Sequence, residues 1–265
     1  MKNILVTGAG GGMGRAVCEI LSKRGYNVYG VVRRDCESIE GVKFLKFDVT
    51  DTETIQSVYE ELSQKIDSLY AIVHTAGIYD MHSLIEIPEE ELFRIFNINV
   101  FGAYRVNKIF RPLLKQGSRI VLTSSELAAV DPLPFTGIYG ITKTTLERYA
   151  FSLRQELNLL GCEVSIIRPG AIETGLLNVS TKAIDKFKKT TKLFENNATK
   201  FDNLVNSVES KSVTPEKVAM KVVSALEDKY PKYIYNINRN PLLRMLSMMP
   251  DRMQVAVLGR MLSAE

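Results

Sequence analysis

The chain has 265 residues, 45% of them hydrophobic, and its 34 basic and 30 acidic side chains leave a net charge of +4. That length and composition suit one large α/β domain with a sizeable core, and so mild a charge, with no basic run, argues against nucleic acid as the main partner. Three scattered cysteines (Cys18, Cys36, Cys162) and two histidines (His74, His82) argue against a metal site.

Reduced thiols fit a cytoplasmic protein. The apolar run Ile4, Leu5, Val6 leads into glycines rather than a cleavage site, and no run of about 20 apolar residues follows. Residues 2–6 read as a first strand. Residues 14–24 read as a helix with Ala16, Val17, Ile20 and Leu21 on one side. Strands follow at 27–32 and 42–47, then a helix at 52–65 and a strand at 69–74. One long helix is expected over 88–114, with Pro88 near its start and Pro112 near its end. Strand five is expected at 119–123. A second long helix spans 138–160, closed by Gly161, and strand six is 163–167. Thr214 is a candidate N-cap for a helix at 215–228, and 232–235 is a last short strand. This alternation implies a parallel sheet covered on both faces, and the continuous apolar runs at 4–6 and 71–73 agree. Residues 171–213, rich in Lys, Thr, Asn and Ser, break the rhythm. A connection of about forty residues reads as a functional lid or a flexible segment.

Three sets of residues carry chemistry. Gly8, Gly12 and Gly14 lie in the stretch 7–14 between the first strand and the first helix. Glycines there permit a tight turn and let a pyrophosphate approach the helix N-terminus. Strand two ends in Arg33-Arg34, whose guanidinium groups suit a 2′-phosphate, so NADP(H) is expected over NAD(H). Asp35 is a nearby acid, and ordinary surface charge is the competing reading of both arginines. Asp48 can accept from an adenine amino group while Val49 packs on the ring; a helix cap or turn aspartate is the alternative. Finally, Tyr139 and Lys143 are four apart and share a helix face. An ammonium beside a phenol lowers the phenol's pKa and prepares it for proton transfer. With Asn99 and Ser125, these residues look like one device for hydride-transfer chemistry.

In this order the motifs resemble the short-chain dehydrogenase/reductase family over about residues 2–236. The matches are the glycine stretch 7–14, Asp48-Val49, Ala76-Gly77 after strand four, Asn99-Val100-Phe101-Gly102, a serine after strand five, Tyr139 and Lys143, and Pro169-Gly170 followed by Thr174. The resemblance implies a Rossmann-type doubly wound parallel sheet of about seven strands with helices on both faces. It implies one domain over 1–265, with a helical substrate lid over about 171–213. It also assigns roles. Tyr139 is the general acid or base, and Lys143 holds the nicotinamide ribose and lowers the Tyr139 pKa. Ser125 bonds the substrate oxygen, and Asn99 anchors a water in a proton relay. Gly8, Gly12, Met13, Gly14, Arg33, Arg34, Asp48, Val49, Ala76, Gly77, Tyr139, Lys143, Pro169, Gly170, Ile172 and Thr174 contact the dinucleotide. Bland readings stand beside these: Tyr139 and Lys143 as a surface pair, Asn99 bridging a helix irregularity, or Ser124 or Thr123 as the relevant hydroxyl. His74-Thr75 stands where the family usually has two asparagines, and Thr142 where it often has serine. The serine-to-tyrosine spacing of 14 is one longer than usual, so the loop with Pro132 and Pro134 is expected to bulge.

The chain is similar to the hydroxysteroid and retinol dehydrogenase branch. Leu176, Leu177, Phe187, Leu193, Phe194, Phe201 and Leu204 of the lid, with Leu127, Leu133 and Phe135, suit a bulky lipophilic alcohol or ketone. A hydroxysteroid is the expected substrate. A 3-oxoacyl-thioester reductase and a non-catalytic NADP(H)-sensing regulator are the rivals. The tail from about 238 to 265 mixes leucines and methionines with four arginines. It reads as domain packing or an oligomer contact, with a peripheral membrane contact or part of the substrate entrance as the other possibilities. A homodimer or homotetramer is expected from the resemblance.

Overall fold

The computed structural model describes residues 1–173, 175–208 and 212–263; for 175–180 and 206–208 it describes the backbone only. Among them, seven parallel strands form one sheet in the order β3-β2-β1-β4-β5-β6-β7. They are β1 Asn3–Thr7, β2 Asn27–Val32, β3 Val42–Lys46, β4 Leu69–His74, β5 Leu114–Thr123, β6 Glu163–Pro169 and β7 Ile234–Ile237. The helices are α1 Gly12–Lys23, α2 Thr52–Ser63, α3 Glu89–Phe96, α4 Gly102–Phe110, α5 Gly137–Asn158, α6 Gly175–Thr190, α7 Glu195–Val208, α8 Pro215–Glu227, α9 Pro241–Leu246 and α10 Asp251–Leu262.

Strand alternation distributes the core. Ile4, Val6 and Val28 face α1 and α8, while Leu5, Tyr29 and Val31 face α2, α4 and α5. A third cluster lies off the sheet. There Ala183, Ile184, Phe187, Ala198 and Phe201 from α6 and α7 pack on Met81, Leu133 and Leu262. Leu243, Leu246 and Leu258 of the tail lean on the same cluster. The tail is thus packed against the lid. Asn197 donates to the Leu262 carbonyl at 2.6 Å, and Gln254 donates to Asp131 at 2.8 Å. No helix among the described residues is long and apolar enough to cross a membrane.

Four expectations need correction. The single helix expected over 88–114 is α3, a π-helical turn Asn97–Phe101, α4 and a 3-10 turn Arg111–Leu113. β5 starts at Leu114, not 119, because Gly117 takes φ 84° and lets the strand run through an irregular register. β7 lies two residues later than expected, at Ile234–Ile237. Thr214 stands at the α8 N-cap position but makes no side-chain bond to the helix. The segment 171–213 holds two helices, α6 and α7.

Candidate active site

The C-terminal ends of β1, β2 and β4 open a cleft of about 450 Å³. Gly8, Gly10, Gly11, Arg33, Arg34, Asp48, Val49, Ala76 and Gly77 line it. Gly8 takes φ 73°, and a Cβ there would meet the Ala76 nitrogen at 2.7 Å. A Cβ on Gly14 would meet the Gly8 carbonyl at 2.1 Å, so α1 must cross β1 on a bare backbone. Gly10 and Gly11 have no atom within 3.4 Å of a notional Cβ, and no side chain caps α1. Uncapped first-turn N–H groups at a cleft wall are the donors a phosphate requires. Gly12 is exposed at the same turn, whereas Met13 points into the core beneath it.

At the other side of the cleft Arg33 and Arg34 are both exposed. Arg33 reaches Asp48 only at 3.8 Å. Asp35, the acid beside them, pairs with Lys46 of β3 at 3.3 Å. Asp48 is a turn aspartate: its Oδ1 accepts from the Thr50 N–H and hydroxyl, both at 2.8 Å. The α2 cap is Asp51, which accepts from Glu53 and Thr54. Val49 is buried against Gly102. Thr75, at the position where the family has asparagine, donates to the Thr7 carbonyl at 2.6 Å and ties β4 to β1.

The cleft ends at Gly77, whose notional Cβ lies 3.3 Å from Asn99 Oδ1 and 3.4 Å from Lys143 Nζ. Asn99 sits in the π-helical turn and clamps the loop after β4. It accepts from the Ile78 N–H at 2.8 Å and donates to the Ile78 carbonyl at 2.9 Å and to Thr142 at 3.1 Å. Thr142 in turn donates to the Tyr139 carbonyl. Lys143 donates to the Thr123 carbonyl at 3.0 Å, and its Nζ lies 5.6 Å from the centre of the Tyr139 ring. The Ser125 hydroxyl accepts from the Leu127 N–H at 3.2 Å and draws the Tyr139 phenol pKa down, while Ser124 is buried with an unpartnered hydroxyl.

Burial pushes the Tyr139 phenol up to about 12, although the Ser125 bond pulls it back. Burial likewise pushes the Lys143 ammonium down to about 8, against the attraction of Glu147. This corrects the expectation of a lysine-acidified phenol. Desolvation acts on both charges, and the ammonium is turned toward a backbone carbonyl. Pro169 ends β6, and Gly170 is fixed by a bond from its N–H to the Ile237 carbonyl at 2.9 Å. Ile172 is buried and bridged to Val213. Thr174 lies outside the described residues.

Sequence reasoning missed three neighbours. Tyr79 meets the Tyr139 ring edge-on at 4.8 Å. Glu126 follows Ser125 into the interior, where its carboxylate accepts from the Asn240 N–H at 2.6 Å. Burial raises its pKa. The exposed Cys36 lines the cleft beside Arg34. Nothing in the local sequence marks any of them.

Residues 2–185 match the family model described as short chain dehydrogenase. The chain belongs to that family. It is 32% identical to estradiol 17-beta-dehydrogenase 2 of Rattus norvegicus over 71% of this chain and 52% of the relative, about half its length. It is 29% identical to the NADPH-dependent 3-dehydrocapnine reductase of Ornithobacterium rhinotracheale, covering 96% of this chain and 94% of that one. A solved short chain dehydrogenase from Burkholderia cenocepacia J2315, in complex with NADP, superposes with a TM-score of 0.71 at 21% identity over the full length of both chains. The chain thus has the single-domain Rossmann-type fold of this family.

Proposed function

We propose that the protein is an NADP(H)-dependent oxidoreductase that interconverts a secondary alcohol and a ketone on a lipophilic substrate, a hydroxysteroid in the first reading. One observation carries it: Ser125, Tyr139 and Lys143 converge where a cleft rimmed by Arg33 and Arg34 ends. Arg33 and Arg34 would hold the 2′-phosphate, with Asp35 drawn away by Lys46. The α1 N-terminus behind Gly8, Gly12, Met13 and Gly14 would hold the pyrophosphate. Asp48 and Val49 would hold the adenine, and Ala76 and Gly77 would offer backbone contacts. Tyr139 and Lys143 would hold the nicotinamide ribose, and Pro169, Gly170, Ile172 and Thr174 would line the nicotinamide.

Bound dinucleotide supplies the hydride for the carbonyl carbon in reduction and takes it back in oxidation. The chain handles the proton. Tyr139, neutral at pH 7 with its pKa near 12, gives its proton to the carbonyl oxygen as the alcohol forms. Ser125 donates to that same oxygen as charge develops on it. Lys143 offers a cation that steadies the phenolate left behind. Asn99 positions the group by fixing the Ile78 backbone and Thr142. The reverse path runs Tyr139 as base.

The NADPH-dependent relative that spans nearly the whole chain supports a second reading, a 3-oxoacyl-thioester or other carbonyl reductase of the same family. A cytoplasmic homodimer or homotetramer with a peripheral membrane contact through the tail belongs to the same proposal. The test follows reduced-nicotinamide absorbance over steroids, long-chain ketones, small ketones and sugars with both cofactors. We expect turnover of lipophilic ketones and a higher kcat/KM with NADPH. Tyr139→Phe should lower kcat by about 10²- to 10⁴-fold while leaving NADPH affinity nearly unchanged. A preference for NADH rejects the cofactor, and turnover of small polar ketones or sugars alone rejects the substrate class. NADPH binding without turnover points to a dinucleotide sensor.

A further inference from the structure

The outer half of the C-terminal helices is unlike an ordinary water-facing surface. α10 turns Gln254, Leu258 and Leu262 inward, two of them buried and Leu258 half-buried. Arg252, Met253, Ala256 and Arg260 stand exposed on the opposite crest, with Val255 and Met261 exposed on the flanks. α9 and the turn after it add exposed Leu242, Arg244, Met245 and Met248, the last 83% exposed. Residues 239–263 hold four arginines and a single acid, Asp251. The apolar surface continues onto the loop after β4, where Leu84 and Ile85 are 53% and 75% exposed. Those two residues, with Pro132, Phe135, Val255 and Leu258, line a groove of about 590 Å³ whose walls are mostly carbon.

We propose that this face docks on the surface of an anionic phospholipid bilayer, with the groove opening toward the acyl region as the port for a lipophilic substrate. The port rests on the lipophilic-substrate reading above; the docking does not. Charge complementarity argues for this occupant. Arginines interleaved with methionines and leucines suit a headgroup layer, which accepts the cations at the same depth as it accepts short apolar side chains. A second copy of the chain fits less well. Interface cores are depleted in charge, and a two-fold contact across the α10 crest would set Arg252 and Arg260 toward their own counterparts. The groove has a volume within the range of ligand pockets, about 300–1,000 Å³.

The experiment is flotation of the full chain with vesicles of phosphatidylcholine alone and of phosphatidylcholine with phosphatidylglycerol, without substrate. We expect binding to the anionic vesicles that weakens as salt rises. The double variant Arg252→Gln with Arg260→Gln should partition about thirty-fold more weakly, given the usual worth of each basic residue at such a surface. Met253→Asp with Met248→Asp, both outside the groove, should abolish flotation while keeping the wild-type turnover of a water-soluble ketone. Wild-type protein that stays with the aqueous fraction at every composition overturns the docking. So does a Met253→Asp, Met248→Asp variant that floats like wild type, or one whose mass in solution falls to that of a monomer while wild-type protein does not float. Flotation with no turnover of any lipophilic ketone keeps the docking and rejects the port.

Discussion

At the scale of the residue, desolvation decides what the site's groups do. His74 is the plainest case. It lies 5% exposed at the end of β4, with Nε2 facing Asn107 Oδ1 at 2.8 Å. Burial drives its pKa down to about 4 while the Asn107 bond works the other way. The unfolded chain titrates this group near 6.5. As pH falls, the unfolded state takes up the proton first, so stability is complete above about pH 6.5 and declines toward pH 4. Melts at pH 7.5, 6 and 5 should show Tm dropping across this window. His74→Gln should flatten that drop, and an equal drop in the variant would remove His74 from the account. The same physics separates what was legible in the candidate site from what was not. The glycines, Arg33-Arg34 and the tyrosine–lysine spacing declare themselves because their chemistry is local. The pKa of Tyr139 depends on how much protein covers it, and Glu126 looks like any surface glutamate until its chain neighbours bury it.

At the scale of the element, two carboxylates of the loop after β4 hold the segment of α6 and α7: Glu86 accepts from Thr191, Lys192 and Leu193 between the two helices, and Asp80 holds α6 itself. Asp80, in the loop after β4, accepts from Lys186 of α6 at 2.9 Å and from Arg94 of α3 at 3.4 Å, with His82 at 3.3 Å. Burial raises its pKa, but the bonds from His82 and Lys186 outweigh this and bring it to about 2. Its folded-state value is depressed, so the latch holds above about pH 4 and is lost as pH falls toward 2. Asp80→Asn should loosen the lid at neutral pH. Steady-state kinetics should show substrate KM rising severalfold with NADPH KM unchanged, and unchanged KM for both would show that Asp80 does not govern the lid. The helical character of 171–213 was expected, but its division into α6 and α7 was hidden because their apolar faces pack on one another and on the tail rather than on the sheet. The break in the helix at 97–101 was hidden for another reason. Asn97, Ile98, Asn99, Val100 and Phe101 are weak helix formers but carry no breaker, and the wider turn is held by tertiary contacts of Asn99 and by Gly102, which packs against Val49. The sheet, by contrast, was readable: runs such as Ala71, Ile72, Val73 are apolar on both faces, and only a covered parallel strand needs that.

At the scale of the whole molecule, the glycine-lined cleft and the tail sit on separate supports. The cleft rests on β1, β2 and β4, whereas α9 and α10 rest on the third core cluster. Truncation after Asn240 strips Leu243, Leu246, Leu258 and Leu262 from that cluster. Burying Leu262 is worth about 1.5–3 kcal/mol and each of the three half-buried leucines less, so the loss falls on α6 and α7. We expect a clearly lower Tm and weakened turnover of lipophilic ketones, with NADPH still bound, as read by its fluorescence on titration. Loss of NADPH binding together with the lid would show that the two halves are one cooperative unit.

Phe135 adopts φ 66°, a left-handed backbone that a bulky side chain normally avoids. Its ring is gripped by Phe187 at 4.5 Å, Phe194 at 5.3 Å and Phe201 at 5.4 Å. Relaxing the main chain there means withdrawing the ring from the lid helices. Backbone strain and aromatic grip are thus tied to one residue, so glycine at 135 would remove the strained bend and give up the contacts with α6 and α7 together.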